Sequence, residues 1–193
     1  MSLPNKITLA RIALAPVFFC VFYIPRWLDQ PTGVSLIFLW ILFGIIEITD
    51  LLDGKLARKL DQTSDTGKLL DPFADSLSRL TYFLCFAIAG IMEGWVFLIL
   101  LYRDLGVSFV RLMMSKKGIT MGARLSGKLK AVVYAASGIL GLGLLTVYEL
   151  IDSQSVIDIS ELIVYIFFIF SALIAVWSLI DYLTALRPSK REQ

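Results

Sequence analysis

Long apolar runs, separated by short polar connections, restrict the folds that this sequence can adopt. The clearest run is VSLIFLWILFGIIEIT, which ends just before Asp50. Of the 193 residues, 58% are hydrophobic and 18% are charged, whereas a soluble domain is about half apolar and a quarter charged. A bilayer core about 30 Å thick is crossed by ~20 helical residues. The runs therefore predict an all-α integral membrane protein with six transmembrane helices, near 7–25, 34–52, 74–92, 94–115, 128–148 and 160–183.

Basic residues between the runs fall mainly on one side of a six-span zigzag. They are Lys6, Arg11, Lys55, Arg58, Lys59, Lys68, Lys116, Lys117, Arg124, Lys128, Lys130, Arg187, Lys190 and Arg191. The other side carries Arg26 and several acidic residues, namely Asp29, Glu93, Glu149, Asp152, Asp158 and Glu161. Because cytoplasmic loops are enriched in lysine and arginine, we expect a multi-pass protein of the inner (cytoplasmic) membrane. Both termini and a polar cavity would face the cytoplasm, in one domain spanning 1–193.

A group of acidic residues lies where the second run ends and the third begins. The segment DLLDGKLARKLDQTSDTGKLLDPFAD, from Asp50 to Asp75, contains the pattern D-x2-D-G-x2-A-R-x8-G-x3-D-x3-D. Carboxylates at this depth are costly unless they bind something. Asp50 and Asp53 are three residues apart, and Gly67, Asp71 and Asp75 are four apart, so each set shares one helix face. The chain has no histidine, so a metal site or general base here must use carboxylates.

Converging carboxylates repel one another unless cations lie between them. Mg²⁺ and Mn²⁺ favour all-oxygen sites, which substrate phosphates usually complete, and two such ions can hold a phosphoryl group during in-line displacement. Simpler interpretations exist for single residues: Asp71 before Pro72 fits a helix start, and Asp50 and Asp53 fit the solvated end of a span. Because eight residues satisfy one fixed spacing, the pattern favours a phosphate site with divalent ions.

The pattern resembles the signature of the CDP-alcohol phosphotransferase family at every defined position. Those positions are Asp50, Asp53, Gly54, Ala57, Arg58, Gly67, Asp71 and Asp75. The resemblance implies a six-span membrane enzyme, usually a homodimer, with two Mg²⁺ or Mn²⁺ ions and a site facing the cytoplasm. In such enzymes the alcohol attacks a CDP-activated lipid at the lipid-side phosphorus, and CMP leaves. Membrane lipid is a further expected partner, and nucleic acid is not.

The resemblance also implies a role for each residue of the pattern. Asp50, Asp53 and Asp71 would bind the first ion. Asp71 and Asp75 would bind the second, and Asp75 would be the catalytic base that takes the proton of the attacking hydroxyl. The implied CDP-binding residues are Asn5, Asp53, Gly54, Ala57, Arg58, Thr66 and Gly67. Arg11, in the same amino-terminal segment as Asn5, is a candidate phosphate contact.

Two further segments, PNKITLARIALAP and YRDLGVSFVRLMMSKKGITMGARLSGKLKAVVYAASG, indicate the acceptor. They resemble family members that transfer a phosphatidyl group from CDP-diacylglycerol to glycerol-3-phosphate in phospholipid biosynthesis. The implied ligands of the acceptor phosphate are Arg103, Arg111, Lys128 and Lys130. A dianionic phosphate favours such paired cationic donors, although lysines at these positions also fit interfacial anchors.

Two details bear on the acceptor pocket. Arg103 lies about nine residues into the fourth predicted span, where an arginine pairs or lines a wet cavity, and Asp104 is a candidate partner. The resembling members carry a lysine after Asp75, where this chain has Ser76. Arg79, one turn further on, is a candidate substitute for that lysine.

Two kinds of alternative remain open. Other acceptors of the same family are inositol phosphate, serine, or diacylglycerol with CDP-choline as donor. A different class is a divalent-cation transporter that uses the aspartates to carry ions, but a conduction path needs acidic residues across the membrane depth. Apart from Asp104, the candidate partner of Arg103, the middle of the spans offers Glu47 at most, and the four aspartates of the pattern lie at one edge.

Three smaller predictions concern packing. Cys20 and Cys85 lie within apolar runs and are expected to be small core residues. The glycines of the fifth span, Gly138, Gly141 and Gly143, are expected to permit close helix approach. Trp177 and Tyr182 at the end of the sixth span are expected near the membrane interface.

Overall fold

The structure is a computed structural model that describes the backbone at 3–28, 32–59, 65–116 and 124–184, and side chains at 7–28, 32–50, 70–114 and 124–184. These ranges contain six helices and no strand. The helices are α1 (Leu3–Leu28), α2 (Thr32–Lys59), α3 (Asp65–Ile88), α4 (Gly94–Lys116), α5 (Leu125–Leu150) and α6 (Gln154–Thr184). The predicted all-α fold is confirmed.

Four of the six described helices are long and apolar enough to cross a membrane. The qualifying segments are Ile7–Leu28, Thr32–Asp50, Leu125–Leu150 and Gln154–Thr184, in α1, α2, α5 and α6. Helices α3 and α4 contain more charge, notably Arg79, Arg103 and Asp104. These three side chains are buried, so their charges face the interior of the bundle rather than lipid. The helices confirm an integral membrane protein, as predicted.

Helix α3 begins and ends earlier than the sequence predicted. It starts at Asp65 and contains Pro72, so the interpretation of Asp71 as a helix cap is wrong. It ends at Ile88, whereas the third predicted span extended to residue 92, so the turn into α4 begins several residues earlier. The Gly90 N–H bonds the Ala87 carbonyl and the Ile91 N–H bonds the Phe86 carbonyl, both at 3.1 Å. Gly90 has φ +79°, the left-handed conformation with which glycine ends a helix.

Aromatic rings from four helices form the centre of the bundle. Tyr82 of α3 contacts Phe43 of α2 with ring centroids 5.3 Å apart, and Phe83 contacts Tyr134 of α5 at 5.3 Å. Phe168 of α6 stacks on Phe86 at 6.1 Å. Such offset and edge contacts are the favoured geometries of aromatic pairs. The core therefore joins α2, α3, α5 and α6 into one packed unit.

Two of the three glycines in α5 provide the predicted close approach. A Cβ atom on Gly138 would lie 2.6 Å from the Phe43 ring, and one on Gly141 would lie 2.5 Å from the Phe86 ring. A Cβ atom on Gly143 would meet nothing within 4 Å, so the prediction for Gly143 is wrong. The absence of a side chain at the first two positions allows the large rings to reach the helix backbone.

Polar side chains connect the helices at one end of the bundle, which we call the site end. It contains the beginnings of α1, α3 and α5 and the ends of the membrane segments of α2, α4 and α6. Tyr182 of α6 is fully buried there between helices, whereas Trp177 is exposed; their places near the membrane interface remain predictions. Cys85 is a core residue, but Cys20 is exposed on α1 and not in the core.

Candidate active site

Two of the four aspartates predicted to bind metal, Asp50 and Asp75, are joined by one arginine. Arg11 of α1 donates from Nη1 to Oδ1 of Asp50 at 2.8 Å and to Oδ1 of Asp75 at 2.5 Å. The Arg11 side chain is 1% exposed, and Arg79 donates to the second oxygen of Asp50 at 2.7 Å. A buried carboxylate pair without cations would be strongly unfavourable. Arg11 and Arg79 therefore compensate the negative charge that α2 and α3 bring together.

Asp71 lies one turn before Asp75 on α3 and faces the same helix. Its Oδ1 accepts a hydrogen bond of 2.6 Å from the hydroxyl of Thr8 on α1. Thr8 and Arg11 are three residues apart, so one face of α1 contacts both Asp71 and Asp75. The predicted common face of the α3 aspartates is thus confirmed, and α1 supplies the groups that orient them.

A second charged cluster lies at the contact of α4 and α5. Asp104 is buried and accepts hydrogen bonds from Lys130 Nζ at 2.6 and 2.9 Å and from Arg103 Nη1 at 3.0 Å. The ammonium of Lys130 also lies 4.3 Å from the ring centroid of Tyr134. Asp104 is therefore the partner predicted for Arg103, and it also orients Lys130. One carboxylate among two cations leaves this cluster with a net positive charge.

The remaining predicted acceptor residues lie beside this cluster. Arg111 is eight residues beyond Arg103 on α4, and its Nη2 donates to the Tyr182 hydroxyl. Among the described residues, Nε of Arg103 and Nε of Arg111 are buried without a hydrogen-bond acceptor. Lys128 is exposed at the beginning of α5. Donors without an acceptor at a buried site can be satisfied by a ligand oxygen.

A cavity of about 430 Å³ joins the carboxylate pair to the cations. Its volume lies within the usual range for small-molecule sites. Ser76 also lines the cavity, at the position where the resembling proteins carry lysine. Its charged lining consists of Asp50, Asp75, Arg79, Arg103, Arg111, Lys128 and Lys130. Five cations and two carboxylates give the cavity a net positive charge, which favours an anionic ligand beside Asp75. Arg79, the candidate substitute for the lysine that is missing at Ser76, is one of these cations.

A larger cavity of about 500 Å³ lies at the other end of the bundle. Its charged lining is acidic, from Glu93, Asp158 and Glu161. Negative charge disfavours a phosphate-containing ligand there. Of these two cavities, only the one at the site end has the charge expected for a phosphate ligand.

Several predicted site residues lie outside the part of the chain whose side chains are described. The structure describes only the backbones of these residues, which belong to α1, α2 and α3. They are Asn5, Asp53, Gly54, Ala57, Arg58, Thr66 and Gly67. Their predicted contacts to CDP therefore remain predictions.

The donor chemistry of the carboxylates fits a hard divalent ion. Asp50, Asp71 and Asp75 offer only oxygen donors, which suit such an ion, and Arg11 lies between Asp50 and Asp75 in this structure. Within the side chains that the structure describes, no three acidic or other ligating groups come close enough to hold a metal. The fourth predicted ligand, Asp53, is outside those side chains.

Sequence reasoning missed three contributions to the site. Thr8 and the bridging role of Arg11 come from α1, and Tyr182 comes from α6, 71 residues beyond Arg111. Arg11 is a charge inside an apolar run, and Thr8 lies three residues before it on the same helix face. The sequence therefore did contain a signal that α1 contributes to the site. Tyr182 offered no such signal, since a tyrosine at the end of a span is usually an interfacial residue.

The fold and the site define a helical membrane protein. Its acidic and cationic groups share one cavity, which suits an enzyme that acts on phosphate-containing substrates. The sequence profile described as CDP-alcohol phosphatidyltransferase matches residues 1–177. The chain belongs to the CDP-alcohol phosphatidyltransferase family and is a transferase.

Three curated relatives carry the same name, CDP-diacylglycerol–glycerol-3-phosphate 3-phosphatidyltransferase. The protein of Treponema pallidum (strain Nichols) is 36% identical over 77% of this chain and 71% of its own length. That of Bacillus subtilis (strain 168) is 35% identical over 72% and 76%, respectively. That of Pseudomonas fluorescens is 29% identical over 97% and 91%.

Proposed function

We propose that this protein transfers a phosphatidyl group from CDP-diacylglycerol to glycerol-3-phosphate and releases CMP, as a step of phospholipid biosynthesis. The names of the relatives support this choice of donor and acceptor. The observation that carries the proposal is the single cavity lined both by Asp75 and by Arg103, Arg111 and Lys128. It brings a candidate base next to cations suited to the phosphate of the acceptor.

In the proposed reaction, a hydroxyl oxygen of glycerol-3-phosphate forms a bond to the lipid-side phosphorus of CDP-diacylglycerol. The bond from that phosphorus to the oxygen of CMP breaks, and CMP leaves with the bonding electrons. Asp75 takes the proton of the attacking hydroxyl, a role that a positioned carboxylate can fill. Arg103, Arg111, Lys128 and Lys130 bind the acceptor phosphate, which brings the acceptor into the cavity beside Asp75.

In the proposed site, Arg11 and Arg79 compensate the charge of Asp50 and Asp75 and orient these carboxylates. The proposed ligands of two Mg²⁺ or Mn²⁺ ions are Asp50, Asp53, Asp71 and Asp75. When bound, these ions supply positive charge and Lewis acidity at the pyrophosphate. The all-oxygen chemistry of the three described aspartates supports this assignment.

Three further parts of the proposal rest on the family resemblance and the charge pattern. The proposed CDP contacts are Asn5, Asp53, Gly54, Ala57, Arg58, Thr66 and Gly67. The site end faces the cytoplasm of the cell, with both termini on that side, because the basic residues are concentrated there. The chain acts as one domain, 1–193, in a homodimer within the lipid bilayer.

The divalent-cation transporter is not retained as a second function. The chain belongs to a family of transferases. In addition, Glu47, the acidic residue in the middle of α2, accepts a hydrogen bond of 3.4 Å from Tyr82 and lies 3.8 Å from Arg79. These contacts give Glu47 a local structural role in the bundle.

CMP release by the purified protein in lipid nanodiscs tests the proposed function. CDP-diacylglycerol is supplied with glycerol-3-phosphate, inositol phosphate, serine or glycerol in turn, with Mg²⁺ or Mn²⁺ or with a chelator. CDP-choline with diacylglycerol is a separate arm. We expect CMP and a new phospholipid only with glycerol-3-phosphate and a divalent ion. Release with another acceptor alone would reassign the substrate, and no release in any arm would refute the enzymatic proposal.

A further inference from the structure

The last turns of α6 contact the two arginines of the proposed acceptor pocket. Arg111 Nη2 donates to the Tyr182 hydroxyl, and Arg103 Nη2 donates to the Ser178 hydroxyl at 2.6 Å. The guanidinium carbons of Arg103 and Arg111 also lie 5.8 and 5.0 Å from the Tyr182 ring centroid. Tyr182 therefore contacts both arginines with its ring, and its hydroxyl also accepts a hydrogen bond from Arg111.

We propose that Tyr182 is a positioning residue that holds Arg111 and Arg103 in the geometry that binds the phosphate of the acceptor. This inference rests on the proposed function and extends it to a helix that contributes none of the residues assigned to that reaction. Tyr182 acts through the arginines and takes no part in bond formation. Its effect is therefore on recognition of the acceptor and not on the chemical step.

The hydroxyl of Tyr182 decides the orientation of Arg111. Among the described residues, it is the only acceptor of a hydrogen bond from the Arg111 side chain. A guanidinium has five donors in a fixed plane, so fixing one nitrogen and stacking the plane near a ring limits its rotation. The remaining donors can then meet a phosphate without first losing as much side-chain freedom.

The position of the Tyr182 ring is itself fixed by α5. The side chain is fully buried, and a Cβ atom on Gly127 would lie 3.3 Å from the tyrosine hydroxyl. Glycine at this position leaves the space that the hydroxyl occupies. Ser126, which precedes Gly127, donates to Asp181, which precedes Tyr182, at 2.5 Å and further connects α5 to α6. The tyrosine is thus held between two helices while its ring faces the arginines of a third.

An ordinary interfacial role does not explain these contacts. A tyrosine that anchors a span places its ring among lipid headgroups, as the exposure of Trp177 on the same helix allows. Tyr182 instead lines the cavity that contains Asp75 and Arg111. Its contacts point to the ligand site and away from the bilayer.

Tyr182→Phe tests the proposal, because it removes the hydroxyl and retains the ring. We expect the KM for glycerol-3-phosphate to rise roughly five- to tenfold, in line with the loss of one ordinary hydrogen bond. The KM for CDP-diacylglycerol and the kcat should stay within about twofold, since neither depends on Arg111. The inhibition constant of inorganic phosphate, measured against glycerol-3-phosphate, should rise with the acceptor KM.

Tyr148→Phe is the matched control, because its hydroxyl bonds Glu161 at 2.9 Å at the other end of the bundle. It should leave both KM values unchanged. Gly127→Ala is a second variant that crowds the Tyr182 hydroxyl without removing it, and it should raise the acceptor KM in the same direction. If Tyr182→Phe does not accumulate as folded protein, Gly127→Ala decides the question.

An acceptor KM within twofold of wild type in Tyr182→Phe would overturn the positioning role and leave the proposed function standing. Equal rises in both KM values, or a loss of kcat alone, would also overturn it, since they would indicate a general structural defect. If the wild-type protein released no CMP with glycerol-3-phosphate, the proposed function would fail, and the positioning role with it.

Discussion

Asp104→Asn should destabilise the protein and weaken the acceptor pocket together. The buried carboxylate accepts three hydrogen bonds, two from Lys130 and one from Arg103. Asparagine keeps the volume of the side chain but removes the negative charge and one acceptor oxygen. Two buried cations are then left without a counter-charge, and breaking such a buried pair costs about 3–5 kcal/mol.

We expect the loss in the free energy of unfolding to lie at the lower end of that range, because asparagine still accepts one hydrogen bond. A loss of ~3 kcal/mol in the free energy of unfolding lowers Tm by about 2–4 °C per kcal/mol in a chain of this size, or roughly 6–12 °C. Thermal unfolding in detergent measures this shift. We also expect a higher KM for glycerol-3-phosphate, because Arg103 and Lys130 lose their common anchor.

Two further variants make the Asp104 experiment specific. Asp158→Asn is the control, since that aspartate is exposed at the other end of the bundle and bonded by Gln154. The double variant Asp104→Asn/Lys130→Met removes one of the two unbalanced cations and should recover part of the lost stability, which a double-mutant cycle detects. A Tm within about 2 °C of wild type for Asp104→Asn, with an unchanged acceptor KM, would refute the counter-charge role.

Two other predictions concern the base and the core. Asp75→Asn should abolish CMP release while its Tm stays near that of wild type, because the amide oxygen can still accept the bond from Arg11; wild-type-like turnover would remove Asp75 as the base. Gly141→Ala should lower the free energy of unfolding by about 1–3 kcal/mol through overpacking against Phe86. Gly143→Ala, where an added Cβ meets nothing within 4 Å, is the control for thermal unfolding, and equal Tm values for the two glycine variants would contradict the packing at Gly141.

Features encoded within one segment of the chain were predictable from the sequence. Long apolar runs led to the helices, because a run of ~20 residues has few alternatives in a membrane. The common face of Asp71 and Asp75 followed from a four-residue spacing. The pairing of Arg103 with Asp104 followed from the cost of an isolated charge at that depth. Each of these inferences needs only local geometry or a single energetic rule.

Features that depend on packing between distant segments were not predictable in this way. The end of α3 depends on the left-handed conformation of Gly90, and a continuous apolar sequence through Met92 concealed it. Arg11 was a candidate ligand of phosphate, but the structure pairs it with Asp50 and Asp75 because α1 lies against both α2 and α3. Tyr182 reaches Arg111 only because α4 packs against α6.

The central proposal is that the cations of the cavity recognise the phosphate of the acceptor, and Arg111→Ala tests it most directly. The measurement is the KM for glycerol-3-phosphate and for CDP-diacylglycerol in the same nanodisc preparation, with Arg26→Ala as a control at the other end of the bundle. We expect Arg111→Ala to raise the acceptor KM at least about tenfold, as the loss of a charged hydrogen-bond donor should, and to leave the donor KM within about twofold. Equal changes in the two KM values, or no change in either, would contradict an acceptor-phosphate pocket at Arg111.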